Sequence, residues 1–226
     1  FIRDGYTYKP FGVHVKPDYA VFVEGTDEMA GKYASILAIS LSSIKQYYDE
    51  KYDRNNFVKN IILDNVLPGD ISIKSRELHF NADINRVVFL ISIISSNDVS
   101  AYDVIQNLFP DKNKDFVFNI TESEIVLVKE IKSGIDVKDL EKLARSIADT
   151  LQTEFFTRVN IGIGTPVIGV KDLARSFKEA QIAIEVGKVF DTEKNIVSYD
   201  NLGIARLIYP LPTTLCETFL KEVSGV

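Results

Sequence analysis

Four polar residues, Thr121–Glu124, separate two strongly apolar stretches of the chain and could carry chemistry. They read Thr-Glu-Ser-Glu, so the segment offers two carboxylates but no glycine and no lysine. Strand-forming residues on both sides of a short polar break predict an antiparallel hairpin with this segment as its tip. Because the flanking strands are apolar, we expect the tip at the edge of a packed layer. We interpret Glu122 and Glu124 as solvated carboxylates, and a partner-facing role is the alternative.

Histidine and cysteine offer little further chemistry. His14 and His79 are the only imidazoles, and no Cys, Asp or Glu lies near either at a convincing metal-ligand spacing. We interpret His79 as structural, whereas His14 lies in a predicted loop and could contact a small-molecule effector. Cys216 lies among apolar residues, so we expect a buried thiol and not a nucleophile. The residues therefore predict no metal site, no cofactor and no catalytic group.

Composition sets the class of protein. The chain has 226 residues, of which 46% are hydrophobic and 26% charged, as is ordinary for a soluble globular protein. Its net charge of −6 argues against a basic nucleic-acid surface. A single cysteine fits a reducing compartment, and no apolar run reaches the roughly 18 residues of a membrane span. No signal peptide and no initiator Met are present, so we expect an internal fragment of a cytoplasmic protein.

A long amphipathic helix is the main predicted element upstream of the hairpin. Two strand-like pieces, Tyr6–Phe11 and Tyr19–Val23, come first, and Thr26 or Asp27 is positioned to cap the helix. An apolar stripe follows, and neither Pro nor Gly interrupts Lys32–Leu67. If continuous, Asp27–Val66 would form a helix of about 60 Å. Such a helix cannot bury its stripe on one small domain, so we expect it to pair with a second copy. Two shorter helices broken near residues 53–56 are the alternative.

The elements around the hairpin predict an α+β fold. From Arg86 the order is strand, helix, strand, strand, helix, strand, and then a further helix and strand. The first six form the ferredoxin-like arrangement, a mainly antiparallel sheet with helices on one face. Gly162 and Gly164 lie at alternate positions of one strand. No Gly-Lys-Ser/Thr follows them, so they predict close packing of a helix on the strand and not a phosphate loop.

This order, with a short acidic hairpin tip, resembles the GGDEF fold of diguanylate cyclases. Asn160–Gly164, followed by Ala180–Lys188, is similar to the Ser-Ile-Gly strand and the Ala-Lys helix of those enzymes. The signature itself is missing, because Thr121-Glu122-Ser123-Glu124-Ile125 stands where Gly-Gly-Asp/Glu-Glu-Phe is expected. Only Glu124 is retained, and the strand Val87–Ser96 ends without the second metal carboxylate. The resemblance therefore implies a GGDEF-like domain without cyclase activity.

A degenerate domain behind a long helix resembles regulators of the CdaR/PucR type, which respond to sugar diacids or purines. Asp53–Ile61 is similar to the helix that enters the domain in that family, and Val197–Gly203 is similar to its exit segment. The resemblance covers about Asp53–Pro212. It implies a homodimer that binds an unidentified effector, and that binds DNA only through a C-terminal domain absent from this chain.

The expected organisation follows from both resemblances. It comprises a sensor remnant at 1–25, a connecting helix at 26–66, a degenerate GGDEF-like domain at 68–199 and a linker at 200–226. The chain is expected to relay signals in a transcriptional regulator and not to be an enzyme. A nucleotide-binding or nucleotide-processing enzyme with a modified cyclase cleft is the alternative.

Overall fold

The computed structural model describes residues 1–12, 19–95, 100–111, 113–190 and 194–224. The chain divides into two compact units, Phe1–Arg54 and Asn55–Val226. No helix of the described residues is long and apolar enough to cross a membrane.

The first unit contains a small antiparallel sheet and most of a long helix. Its strands pair in the order β1-β2-β3, and β2 pairs with β3 along its whole length. Asp27 caps the helix, because its Oδ1 accepts a hydrogen bond from Ala30 N at 2.8 Å. The prediction of two strands and a capped helix start is therefore confirmed. The element bounds are β1 Ile2–Arg3, β2 Tyr6–Phe11, β3 Tyr19–Glu24 and α1 Glu28–Ile62.

The long helix α1 is continuous through residues 53–56, so the alternative of two shorter helices is wrong. It ends at Ile62, four residues before the predicted end. The reason is local: Asp64 takes a left-handed backbone conformation with φ 58°, and Asn65 N donates to Asn60 O at 2.9 Å. Such a reversal satisfies the last carbonyls and stops the helix without glycine.

The second unit contains the end of α1 and the predicted α+β domain. Its main sheet has the strand order β5-β6-β4-β7-β9, in which all pairs but one are antiparallel and β9 runs parallel to β7. The strands β4 to β7 have the ferredoxin-like order, which confirms the predicted fold class. The bounds are α2 Pro68–Glu77, β4 Asn85–Ser95, α3 Ala101–Leu108, β5 Phe116–Asn119, β6 Glu124–Glu130, α4 Val137–Phe155, β7 Arg158–Ile163, β8 Val167–Ile168, α5 Leu173–Phe190, β9 Ile196–Ser198, α6 Ala205–Ile208 and α7 Thr213–Ser224.

Helices cover both faces of this sheet. The helices α3 and α4 pack on one face, where Phe89, Ile91 and Leu127 are buried. The opposite face, with Leu90 and Val126, is covered by α2, α5 and the last turns of α1. The central strands are therefore apolar on both sides, as their sequences indicate. The ferredoxin-like core keeps its helices on one face, and the flanking helices supply the second layer.

Two glycines let α5 lie directly against β7. A Cβ on Gly162 would lie 2.1 Å from Ala180 O, and one on Gly164 would lie 2.0 Å from Ser176 O. Both oxygens belong to the backbone of α5, so they cannot move aside as a flexible side chain could. The prediction that these glycines permit close helix-on-strand packing is confirmed.

The cysteine of the C-terminal helix is less buried than predicted. Cys216 on α7 is only partly buried, so the prediction of a buried thiol is wrong. The apolar neighbours on which that prediction rested, among them Phe219 and Leu220, are about three-fifths exposed at 61% and 60%. The apolar side of α7 therefore faces solvent in this chain and provides no core for the thiol.

Candidate functional site

The polar segment Thr121–Glu124 forms the tip of the β5–β6 hairpin, as predicted. Asn119 pairs with Ile125, and Ile120 N donates to Glu124 O at 2.9 Å to close the loop. Thr121 Oγ1 accepts from Ser123 N at 3.3 Å, so the threonine helps to shape the turn. The side chains of Thr121, Glu122 and Ser123 are exposed, whereas Glu124 is half-buried at the start of β6.

The backbone of the hairpin tip is hydrogen-bonded to the central strand β4. Ile93 N donates to Ser123 O at 2.8 Å, so the backbone of the tip is held by the sheet. Ser92 pairs with Glu124 on one side and with Asn160 of β7 on the other. Paired residues of neighbouring strands share a face. Glu124, Ser92 and Asn160 therefore form one polar row on the face covered by α5.

This row has one carboxylate, one hydroxyl and one amide. Magnesium is bound by several oxygen ligands, of which some are anionic carboxylates. Catalysis of phosphoryl transfer relies largely on metal ions that neutralise the phosphate charge. Among the described residues, no group of three or more His, Cys, Asp or Glu could hold a metal ion. Asp98, the first acid after β4 in the sequence, lies outside the described residues. The donor set of the row does not fit a cyclase metal centre.

A cavity of about 310 Å³ opens at the same edge of the sheet, and we name it the edge cavity. Asn160 lines it together with three basic residues, Arg158, Lys188 and Lys194. Arg158 is held in place because its Nε donates to Ser95 Oγ at 3.2 Å. None of the described residues lining the cavity is acidic. The edge cavity is therefore a positively charged concave surface suited to an anion.

The last turns of α1 are bound to the hairpin. Phe57 and Ile61 are buried in the same core as Phe116 and Phe118 of β5. Lys59 Nζ donates to Asn119 O at 2.7 Å, one residue before the loop that leads to the tip. The last turns of α1 and strand β5 therefore belong to one close-packed core.

The remaining predicted residues have little part in this site. His14 lies outside the described residues. His79 is exposed in a left-handed turn after α2, at φ 48°, and its structural role stays a prediction. Arg158 and Lys194 were missed, because they lie far apart in the sequence and belong to no motif. The only sequence signal nearby was Lys188, at the end of the helix pattern Ala180–Lys188.

Comparison with known families gives one match. The family described as GGDEF-like domain matches residues 65–186, which is more than half of the chain. No curated protein matches this chain.

Proposed function

We infer, from the premise that this chain belongs to the GGDEF-like domain family, that it is the signal-relay region of a bacterial transcriptional regulator. Its GGDEF-like domain would couple effector sensing to a DNA-binding domain outside this chain, in the manner of the CdaR/PucR type. The proposed role requires no metal and no cofactor, and its location is the cytoplasm.

The composition of the row beside the hairpin tip carries this proposal. Glu124 is its only acid, and Ser92 and Asn160 are uncharged. Nucleotide cyclisation needs divalent cations to neutralise the triphosphate, and one carboxylate supplies too little negative charge to hold them. A domain with the fold but without this charge is better suited to transmitting a conformational change than to catalysis.

Homodimerisation through α1 is the second part of the proposal. Large apolar side chains of α1 are exposed at spacings of three and four residues or multiples of them, as in a coiled-coil seam. They are Met29 (50% exposed), Tyr33 (53%), Ile36 (60%), Ile44 (51%) and Tyr47 (55%). We name these five residues the α1 stripe. Because the last turns of the same helix are buried beside β5, a change in pairing along the stripe would reach the hairpin.

The edge cavity favours a second candidate function, in which the domain binds a nucleotide without the cyclase metal site. Arg158 and Lys188 contribute positive charges to the lining that includes Asn160. Phosphates are recognised by such groups. Binding without turnover would be compatible with a regulator, whereas turnover would make the protein an enzyme.

Calorimetry and product analysis with GTP and Mg²⁺ separate these functions. We expect no cyclic dinucleotide and no pyrophosphate, because the row cannot hold the metal ions. Formation of either product would contradict the proposal that the domain is not an enzyme. Heat without product, lost in Arg158→Gln and retained in the distant exposed variant Lys74→Gln, would support the second candidate.

The regulatory role has its own test. The chain is fused to a DNA-binding domain that requires a dimerising partner, and transcription from its operator is measured. We expect operator-dependent regulation that is lost in Ile36→Glu. A fusion that behaves like the isolated DNA-binding domain would contradict the dimeric relay.

A further inference from the structure

A second cavity, of about 400 Å³, also borders β9 and shares Gly187, Lys194 and Val197 with the edge cavity. Its walls come from α4, the end of α5 and β9, and it is closed by the segment that leads from β9 into α6. That segment begins with a 3-10 helix, Tyr199–Leu202. We name this space the exit cavity. Its volume lies within the range of about 300–1,000 Å³ typical of small-molecule sites.

The lining of the exit cavity includes a buried polar residue. Ser198 lines the cavity and is only 2% exposed. Its side chain does not cap the following 3-10 helix, and its hydroxyl has no hydrogen-bond partner among the described residues. A buried hydroxyl without a partner is costly unless it can reach something inside the cavity.

A cationic group stands at the wall of the same cavity. Arg145 on α4 lines it and makes no ion pair or hydrogen bond with any residue that the structure describes. Glu141, one turn earlier, is engaged, because its Oε1 accepts from Asn201 Nδ2 at 2.6 Å. Lys194 adds a second positive charge to the lining. The guanidinium is therefore available, whereas the Glu141 carboxylate is hydrogen-bonded to the exit segment.

The rest of the lining is apolar. Val186, Ile196 and Leu202 contribute hydrocarbon surface between the polar groups. Ligand sites usually combine such hydrocarbon surface with a few convergent polar groups. Guanidinium groups bind carboxylates and phosphates through two parallel hydrogen bonds.

We propose that the exit cavity binds a small organic anion. Its carboxylate or phosphate pairs with Arg145, a polar atom meets the Ser198 hydroxyl, and an apolar body lies against Ile196 and Leu202. Because Asn201, Leu202 and Ala205 belong to the wall, the ligand fastens the exit segment to α4 and β9. The site is separate from the hairpin tip, and binding at it does not depend on the regulatory role proposed above.

Fluorine NMR with three probes tests the site. The probes are 4-fluorobenzoate, 4-fluorophenyl phosphate and the neutral 4-fluorobenzyl alcohol, which share a ring and differ in charge. We expect saturable line broadening with at least one anion and none with the alcohol. Affinity should fall at least about tenfold in Arg145→Gln, as expected when a charged hydrogen bond is removed. A comparison of the affinities of 4-fluorobenzoate and 4-fluorophenyl phosphate shows which anion the cavity prefers.

Two further variants keep the test decisive. Ala205→Leu narrows the cavity from the exit segment and should abolish binding, and circular dichroism checks that it folds. Lys74→Gln, which removes an exposed positive charge on α2 and lies in neither cavity, should leave binding unchanged. Hydrogen exchange should slow in Tyr199–Leu202 and Ala205–Ile208 when the anion is bound. Failure of both anions to bind the unaltered chain, or equal binding by Arg145→Gln, would overturn the proposal.

Discussion

At the scale of single residues, the two glycines of β7 determine how α5 meets the sheet. A Cβ at position 164 would lie 2.0 Å from a backbone oxygen of α5, which no rotamer change can relieve. We expect Gly164→Ala to lower the free energy of unfolding by at least about 2 kcal/mol, since overpacking of cores costs this much. Urea denaturation measures the effect.

A matched glycine distinguishes the clash from a general effect of added side chains. A Cβ on Gly69, in the first turn of α2, meets nothing within 4 Å. Gly69→Ala should therefore leave stability within about 0.5 kcal/mol of the original, or raise it slightly. If both substitutions destabilised the chain equally, the close packing of α5 on β7 would not be the cause.

At the scale of secondary-structure elements, one hydrogen bond joins α5 to the residue that follows α6. It forms only while the phenol of Tyr209 is protonated. Tyr209 Oη donates to Glu185 Oε2 at 2.6 Å, and this hydrogen bond raises the pKa of Tyr209 above its ordinary value of 10.0. Only the protonated phenol can donate. Since the folded pKa exceeds the unfolded one, the contribution to stability is present below pH 10.0 and is lost as pH rises through the folded pKa.

Ultraviolet titration of tyrosinate checks this shift. The difference between the unaltered chain and Tyr209→Phe isolates Tyr209, which should ionise at a higher pH than an ordinary tyrosine. Glu185→Gln, which removes the charge but keeps an acceptor, should bring the ionisation back towards pH 10.0. A Tyr209 signal at or below the ordinary value would show that the hydrogen bond to Glu185 does not form in solution.

At the scale of the whole molecule, the α1 stripe predicts self-association. Its members are half-exposed or more, and Ile36 lies near its middle with 60% exposure. We expect sedimentation to show a dimer, and Ile36→Glu to weaken it at least about tenfold, because a charge would be buried in the seam. Gln46→Glu adds the same charge on an exposed position away from the stripe and should leave the dimer intact. A monomer at high concentration would contradict the prediction.

Sequence patterns predicted those parts of the fold that depend on local chemistry. The hairpin around Thr121–Glu124 followed from apolar strands and a polar break, and the role of Gly162 and Gly164 followed from their alternation in one strand. The burial of Cys216 was predicted wrongly, because an amphipathic pattern shows that a face is apolar but not what covers it.

The cavities could not be predicted, for a related reason. Arg145, Ser198 and Asn201 line one cavity because α4, β9 and the exit segment converge in space. The exit-segment resemblance covers Ser198 and Asn201, but it gives no sign that Arg145 lies near them. Arg158 and Lys194 are likewise brought together by strand order alone. Where a site is built from isolated side chains on separate elements, the topology must be known before its chemistry can be recognised.

The edge cavity and the exit cavity share part of their lining at β9, and this has a thermodynamic consequence. Gly187, Lys194 and Val197 line both the edge cavity and the exit cavity. An occupant of either cavity contacts this shared lining. Two ligands, one in each cavity, should therefore alter each other's affinity, and linkage requires that the change be identical whichever binds first.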